Sequence, residues 1–202
     1  MRSSRSTPSR PGRLPIRRWI LVIGNDHPRA CTGRRLLRLG LAQEVDSTSG
    51  TSAAPIVLDP YAGEPLSTAD LPAASRGGLL VVDCSWNRLA ERGRLPRTGT
   101  SSNPGLRRRL PFLIATNPQH YGRMGELNTV EAFAAALWVL GHREESTELL
   151  RGFAGGAAFL AVNRDRLDAF ARAKTSEAAR RLERTIYGAG QGPTRSSAPG
   201  AR

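Results

Sequence analysis

The sequence is poor in cysteine and in aromatic residues, and it has no long apolar run. Its only cysteines, Cys31 and Cys84, are too few for a disulfide framework in 202 residues, so we expect a reducing compartment, the cytoplasm. No segment approaches the roughly 20 apolar residues of a membrane-spanning helix. The basic N-terminus has no apolar run directly behind it, which argues against a secretory signal. We therefore expect a soluble cytoplasmic protein without membrane contact.

Sequence motifs of several enzyme classes are also missing. There is no GxxxxGK[ST] phosphate loop, and no GxGxxG follows a predicted strand, which argues against ATP-driven chemistry and ordinary dinucleotide binding. His27 and Cys31 are close neighbours, but the second pair of ligands that a closed zinc site needs is absent, so we predict no metal. Cys84 and His120 could form a nucleophile–base pair. Nothing in their spacing fixes that geometry, and we prefer to interpret Cys84 as a small buried thiol.

Positive charge dominates the composition. Thirty Lys and Arg residues oppose seventeen Asp and Glu residues, which gives a net charge of +13. All basic residues except Lys174 are arginine. A GC-rich genome explains that preference, but it does not explain the excess of positive over negative charge. Binding to a polyanion releases counterions from its phosphates, so the composition favours RNA or DNA as a partner; a solvated basic surface is the alternative.

The distribution of apolar residues predicts an α/β fold between two basic tails. Residues 1–17 and 188–202 are rich in Arg, Ser, Pro and Gly, and we expect both to be disordered. Four apolar runs without polar alternation predict buried strands, at 19–23, 56–58, 79–82 and 112–115. Each run ends at a polar or turn-forming cluster, and helical sequence such as 34–41 lies between some of them. This order favours a mostly parallel sheet, which binds ligands beyond the carboxyl ends of its strands. Segments 43–54 and 97–108 are interpreted as loops.

The sequence becomes helical from Leu127 onward. Asn128 and Glu131 have the spacing of a capping box, and Gly141 supplies a stop, so a helix is predicted between them. Further helices are predicted at 144–153, 164–174 and 176–187. Gly155 and the glycine after it indicate close packing between helices.

Two segments carry candidate ligand-binding groups. Asp83 follows a predicted strand, where its carboxylate would face the ligand, and Trp86 offers a flat surface for an adenine, a nucleobase or an alkyl chain. Alternatively, Asp83 caps the next turn and Trp86 fills the core. The segment 110–129 leads from a strand through a Pro/Gly-rich loop into the capped helix. Its backbone could bind a ligand and its helix N-terminus a carboxylate, although a plain connection would have the same sequence.

Four motifs in this order resemble the small-subunit ribosomal RNA aminocarboxypropyltransferase family. They are DHPRACTG (26–33), DCSW (83–86), LPFLIATNPQHYG (110–122) and LNTVEAFAAALWVLG (127–141), and the resemblance spans about residues 18–174. It implies transfer of the 3-amino-3-carboxypropyl group of S-adenosylmethionine to a (methyl)pseudouridine of small-subunit rRNA during ribosome biogenesis. It also implies an N-terminal α/β lobe (18–109) and a SPOUT-like C-terminal lobe (110–187) with a trefoil knot, with the donor between them.

The same resemblance implies a role for each site residue. The adenine would be surrounded by side chains and main-chain groups of Leu58, Pro60, Leu110, Gly125, Leu127 and Ala132. The Val82 carbonyl would accept the ribose hydroxyls, while the Thr32 loop and Thr129 would hold the amino-acid end, the latter helped by the helix N-terminus. Trp86 and Leu89 would enclose the methyl group, so that orientation selects the longer arm for transfer.

The nucleophile would be an imide nitrogen of the base, and Asp83 is the candidate general base or orienting group. We expect rRNA or a pre-ribosomal particle to approach over a basic surface made by Arg29, Arg34, Arg35, Arg107, Arg108 and Arg109, and the protein to be a monomer. Two alternatives remain open: a SPOUT-like RNA methyltransferase with the same donor, and a non-catalytic rRNA-binding assembly factor.

Overall fold

The computed structural model describes residues 14–23, 31–51, 53–95 and 105–188. Most of both predicted tails lies outside these residues, as do His27 and Arg29. The ordered chain begins before residue 18, because Ile16 is buried and the Arg17 carbonyl accepts a hydrogen bond from the Leu79 N–H. Within the described residues, no helix is both long and apolar enough to cross a membrane.

A five-stranded sheet organises the fold, and its parallel arrangement confirms the prediction of a mostly parallel sheet. Its strands are β1 (Arg18–Val22), β2 (Gln43–Glu44), β3 (Ile56–Leu58), β4 (Leu79–Asp83) and β5 (Leu106–Arg108), in the order β2-β1-β4-β3-β5. The helices are α1 (Thr32–Arg38), α2 (Leu71–Gly77), α3 (Trp86–Arg92), α4 (Thr129–Val139), α5 (Arg143–Leu150), α6 (Gly156–Arg172) and α7 (Ser176–Tyr187). All strand pairs are parallel, so the carboxyl ends of the strands meet at one edge.

The prediction of a strand at 112–115 is wrong. This segment is not part of the sheet, and only Ile114 forms an isolated antiparallel bridge, with Met124. The side chain of Asn163 on α6 accepts from the Ile114 N–H and donates to its carbonyl, both at 2.9 Å. The backbone is therefore satisfied without a neighbouring strand, and burial alone gave the segment its strand-like composition.

The interpretation of 43–54 and 97–108 as wholly loop-like is also wrong, because β2 lies in the first segment and β5 in the second. Both strands lie at the edges of the sheet. An edge strand needs no continuous apolar run, since only one side of its backbone is paired. In β5, Arg107 and Arg108 are ion-paired with acidic residues, which lets an arginine-rich strand pack against the sheet.

Each of the five predicted helices is present at approximately the predicted position, and two helices that were not predicted, α2 and α3, are present as well. α7 has the predicted bounds, α1 and α5 differ from the predictions by a few residues, and α6 begins eight residues earlier than predicted. A Cβ on Gly155 would lie 2.2 Å from the Thr116 carbonyl oxygen, and one on Gly156 would lie 2.3 Å from that of Leu150. The expected close packing at these glycines is therefore confirmed.

Alternate residues of β4 face two different apolar clusters. Leu79 and Val81 pack into the larger cluster, which contains α4, whereas Leu80 and Val82 pack into the smaller one with Leu89 of α3. Side chains alternate between the faces of a strand, so the next position, residue 83, is directed toward α4.

Candidate active site at the carboxyl edge of the sheet

The register of the sheet places the ends of four strands side by side. Val22 at the end of β1 pairs with Asp83 at the end of β4, and Leu58 at the end of β3 lies beside Val81 of β4 and Arg108 of β5. The loops that follow these strands therefore start from one edge.

Asp83 joins two of these loops to the sheet. The Cys31 thiol donates to its Oδ2 at 2.7 Å, and the Thr129 hydroxyl donates to its Oδ1 at 2.9 Å. A Cβ on Gly33 would lie 2.3 Å from the same Oδ2, so a glycine is required for this approach. We call Cys31, Gly33, Asp83 and Thr129 the Asp83 junction, and it connects the start of α1, the end of β4 and the start of α4.

The thiol of Cys31 is protonated at neutral pH. Burial, followed by its hydrogen bond to the Asp83 carboxylate, raises the pKa of Cys31 to about 11. The sulfur also caps α1 by accepting from the Arg34 N–H at 3.4 Å. Cys31 is therefore a hydrogen-bond donor to Asp83 and not a thiolate nucleophile under these conditions.

Trp86 provides a second connection across the site. Its indole Nε1 donates to the Leu127 carbonyl at 3.0 Å, and its ring packs against the apolar cluster around Leu89. The alternative that Asp83 caps the following turn is not met, because the Ser85 hydroxyl caps α3 instead. The alternative that Trp86 fills core is met in part, since the residue is only half-buried.

Glu131 fixes the loop that leads into α4. The predicted capping box is present, with Asn128 Oδ1 accepting from the Glu131 N–H and Glu131 Oε2 accepting from the Asn128 N–H. The same carboxylate accepts from the N–H and hydroxyl of Thr116 and from the side-chain amide of Asn117. Glu131 is 2% exposed, so four donors hold a buried charge in place.

The remaining predicted residues lie along the same edge. Thr32 is the first residue of α1, and Val82 precedes Asp83 in β4. Leu58 and Pro60 flank the end of β3. Between them, the Asp59 N–H donates to the Arg108 carbonyl at 2.8 Å, which brings Leu110, two residues further along, to the same edge.

The other predicted residues lie before and within α4. The Gly125 N–H donates to the Leu113 carbonyl, two residues before Leu127, and Ala132 is half-buried in the first turn of α4. Hydrogen bonds join the Asp83 junction and the Trp86–Leu127 pair, and one apolar cluster contains Leu58, Leu110, Leu127 and Ala132.

The arginine triplet 107–109, at the end of β5, does not form a free basic surface. Each member is ion-paired: Arg107 with Asp59 at 2.7 Å, Arg108 with Asp70 at 2.9 Å, and Arg109 with Glu183. The side chains of Arg108 and Arg109 are 16% and 13% exposed. Arg35 donates to the Gly152 carbonyl and stacks on Phe153. The expectation of a free basic surface is therefore not met at the triplet, because each of its charges is paired with an acidic residue.

Sequence reasoning did not identify two contacts of the site. It considered Cys31 as a metal ligand, a role that it rejected, and it interpreted Glu131 only as a helix cap. Cys31 stands directly before a helix start and beside Gly33, a pattern that marks a close approach. For Glu131, no local pattern reports the distant donors on Thr116 and Asn117.

Comparisons with known proteins were made for the whole chain. A family model described as "Ribosome biogenesis protein, C-terminal" matches residues 56–187. The 16S rRNA aminocarboxypropyltransferase of Methanopyrus kandleri is 42% identical over 149 residues, which cover 74% of this chain and 85% of that protein. The enzyme of the same name from Vulcanisaeta distributa is 39% identical over 153 residues, covering 76% and 80%. The 18S rRNA aminocarboxypropyltransferase of Schizosaccharomyces pombe is 36% identical over 159 residues, covering 79% and 52%.

A solved structure has the same fold. The SAM-dependent rRNA:acp-transferase Tsr3 from Vulcanisaeta distributa superimposes with a TM-score of 0.70 at 34% sequence identity. The match covers 85% of this chain and 97% of that one.

Proposed function

This chain belongs to the rRNA aminocarboxypropyltransferase family, and we propose that it transfers the 3-amino-3-carboxypropyl group of S-adenosylmethionine to a pseudouridine of small-subunit rRNA during ribosome biogenesis. The observation that carries the proposal is the Asp83 junction, in which one carboxylate holds the starts of α1 and α4 against the end of β4. That arrangement leaves a polar centre at the edge of a parallel sheet where ligands of such folds bind.

The residues at this edge suit the donor. We assign its adenine and ribose to the mainly apolar groups and main chain of Leu58, Pro60, Val82, Leu110, Gly125, Leu127 and Ala132. Its amino-acid end is assigned to Thr32 and to the first turn of α4. The Thr129 hydroxyl is engaged with Asp83, so at this residue we assign the binding of the carboxylate to the backbone N–H. The first N–H groups of a helix have no acceptor within it, and they favour negative charge.

Selection of the longer arm follows from the walls of the site. S-adenosylmethionine offers carbon atoms activated by its sulfonium, and the enzyme must present one of them to the RNA. Trp86 and Leu89 lie one turn apart on α3 and belong to one apolar cluster. Leu89 is 5% exposed, and its carbonyl accepts from the Tyr61 hydroxyl at 3.0 Å. We assign these two side chains to the methyl group, since a fixed apolar wall on one side directs transfer by orientation.

Asp83 is the candidate catalytic residue, as a general base or as an orienting group for the imide of the base. Both of its carboxylate oxygens accept hydrogen bonds from protein donors. These contacts favour the orienting role, since the carboxylate is fixed before the substrate arrives. Removal of its charge should lower transfer in either role.

The finer properties of the protein follow as part of the same proposal. We place the reaction in the cytoplasm, on rRNA or a pre-ribosomal particle, with the protein acting as a monomer. We further propose lobes at 18–109 and 110–187, with the second forming a SPOUT-like trefoil knot. In support, Leu113 and Ala115 are fully buried between α4 and α6, so the chain passes through the interior after β5. A crystal structure in which the path of the chain contains no knot would contradict this part of the proposal.

The function is tested by deleting the protein from its host and comparing small-subunit rRNA nucleosides by mass spectrometry. We expect loss of the mass of an aminocarboxypropyl group from one nucleoside, with restoration by the wild-type protein. Asp83→Asn should restore much less, whereas Asp165→Asn, at an exposed position on α6, should restore fully. Loss of a methyl mass instead would identify a methyltransferase. Unchanged nucleosides, together with no binding of S-adenosylmethionine in calorimetry, would identify a non-catalytic assembly factor.

A further inference from the structure

Two exposed arginines lie beside the site. Arg88 and Arg92 lie one turn apart on α3, and both are exposed. Neither guanidinium forms a hydrogen bond or an ion pair within the part of the chain that the structure describes. The triplet 107–109 at the end of β5 differs in this respect, because every arginine there is ion-paired.

These arginines border an open depression. It is shallow and open to solvent, and it is lined by Ile23, Cys84, Arg88, Leu89 and Arg92. Its floor is apolar and its rim carries two positive charges. Ile23 and Cys84 are the residues directly after β1 and β4, so the depression lies at the same edge of the sheet as the Asp83 junction, on the α3 face.

The surrounding charge is positive. Glu91 is the one acidic residue of α3, and it forms no ion pair with either arginine within the described residues. Arg94, two residues beyond α3, is also exposed. The segment 86–94 thus carries three arginines and one glutamate, a net charge that favours a phosphate ligand.

We propose that Arg88 and Arg92 bind the sugar-phosphate backbone of the substrate RNA next to the reacting nucleotide. This inference rests on the proposed function and locates the RNA on the α3 face. Two positive charges on one face of α3 fit a phosphate of the RNA backbone, because arginine binds phosphate in a bidentate manner. α3 begins at Trp86, three residues after Asp83, so RNA bound to its exposed face lies beside the proposed active site. Backbone contacts of this kind fix the register of a nucleic acid without reading its sequence.

Three variants of the full-length protein test the proposal. Arg88→Gln/Arg92→Gln removes both charges, and Arg88→Lys/Arg92→Lys keeps them. Arg76→Gln is the matched control: it removes an exposed arginine from α2, which precedes the amino end of β4. Affinity for a transcript of the host small-subunit rRNA is measured over a range of salt concentrations. Affinity for S-adenosylmethionine, measured by calorimetry, reports whether the site is folded.

The double glutamine variant should lose at least about tenfold in RNA affinity at low salt, and the slope of log K against log salt should become shallower by about 2. The double lysine variant should retain the slope but lose part of the affinity, since lysine keeps the charge and not the bidentate geometry, whereas Arg76→Gln should retain both. All variants should bind S-adenosylmethionine like the wild type. An unchanged affinity and slope in the double glutamine variant would overturn the proposal, as would an equal loss in Arg76→Gln. A wild-type protein that binds RNA but transfers nothing would instead contradict the proposed function, so the two failures are distinguishable.

Discussion

Cys31 makes the Asp83 junction dependent on pH at the scale of a single residue. In the fold, burial and the Asp83 carboxylate raise the pKa of this thiol from 9.0 to about 11. The folded state therefore retains the proton more strongly than the unfolded chain. Stability from this group is fully present below pH 9 and is lost as the pH rises through about 11.

The reactivity of Cys31 tests this shift. In a Cys84→Ser background, alkylation of Cys31 by iodoacetamide should be slow at pH 8 and should keep increasing up to about pH 11, because the thiolate is the nucleophile. Asp83→Asn should speed alkylation at pH 8, since it removes a negative charge that raises the pKa. The same protein in concentrated urea should react as an ordinary thiol. A rate that levels off by pH 9 in the folded protein would contradict the assigned environment.

Glu131 holds the loop at Thr116 and Asn117 in addition to capping α4. Its carboxylate accepts from the Thr116, Asn117 and Asn128 donors in the interior. Glu131→Ala should reduce the free energy of unfolding by about 3–5 kcal/mol, because several buried donors lose their acceptor. Glu131→Gln should also lower the free energy of unfolding, since the NH2 of the new amide is a donor and would face the donor groups of Thr116, Asn117 and Asn128. Urea unfolding measures both effects, and Glu91→Ala, at an exposed position of α3, should change stability by no more than about 0.5 kcal/mol. A Glu131→Gln protein as stable as the wild type would contradict the network.

At the scale of elements, the connection between α5 and α6 depends on the absence of a side chain. Gly155 has φ of +82°, and its carbonyl oxygen lies 3.0 Å from the Thr116 hydroxyl oxygen. Gly152 in the same connection has φ of +76°, but an added Cβ there would meet no heavy atom within 4 Å. The two glycines share the left-handed backbone and differ in the space around them.

Alanine substitutions at Gly152 and Gly155 separate the free-energy cost of steric overlap from the cost of the left-handed backbone conformation. Gly152→Ala should destabilise by about 1–2 kcal/mol, the cost of a left-handed alanine. Gly155→Ala should cost about 1–3 kcal/mol more, because its Cβ would overlap the Thr116 carbonyl and displace the loop that Glu131 holds. Urea unfolding of both variants gives the difference directly. Equal losses of stability in the two variants would contradict the prediction, because they would show that the Thr116 loop shifts to make room for the added Cβ.

The elements also show which features the sequence could predict. β4 and α4 were predicted closely because both are buried almost throughout, so their apolar patterns report their packing. β5 was missed because its arginines are neutralised by Asp59 and Asp70, residues that are distant in sequence. The segment 112–115 has the composition of a strand, but the side chain of Asn163 replaces the neighbouring strand. Local patterns report burial and capping, whereas partners across the fold appear only in three dimensions.

The same distinction holds for the candidate site. The motifs located its residues, since the loops at Cys31, Asp83 and Thr129 do meet. The pairing of the triplet at 107–109 could not be predicted, because the sequence gives the charges and not their partners. The free arginines of α3 were likewise overlooked, although their i, i+4 spacing after Trp86 placed them on one face of a helix.

At the scale of the whole molecule, the site joins segments that are about a hundred residues apart in sequence. The parallel sheet brings the end of β4 between α1 and α4, and the Asp83 carboxylate is the physical link between the two helices. A ligand bound at this link should therefore stabilise the start of α1, the end of β4 and the start of α4 together. α7, which is joined to the rest of the fold by the ion pair between its Glu183 and Arg109, should be stabilised less.

Hydrogen exchange with and without S-adenosylmethionine tests this coupling. At a donor concentration of 100 times Kd, binding to the folded state should add about 2.7 kcal/mol to global stability. In exchange that occurs by local opening, protection should increase jointly in 31–36, 83–89 and 125–132, and much less in 176–187. In Asp83→Ala, the link is removed, and protection of 31–36 should no longer rise with that of 125–132 even at saturating donor. Joint protection that survives this substitution would mean that the ligand itself, and not the carboxylate, holds the two helix starts together.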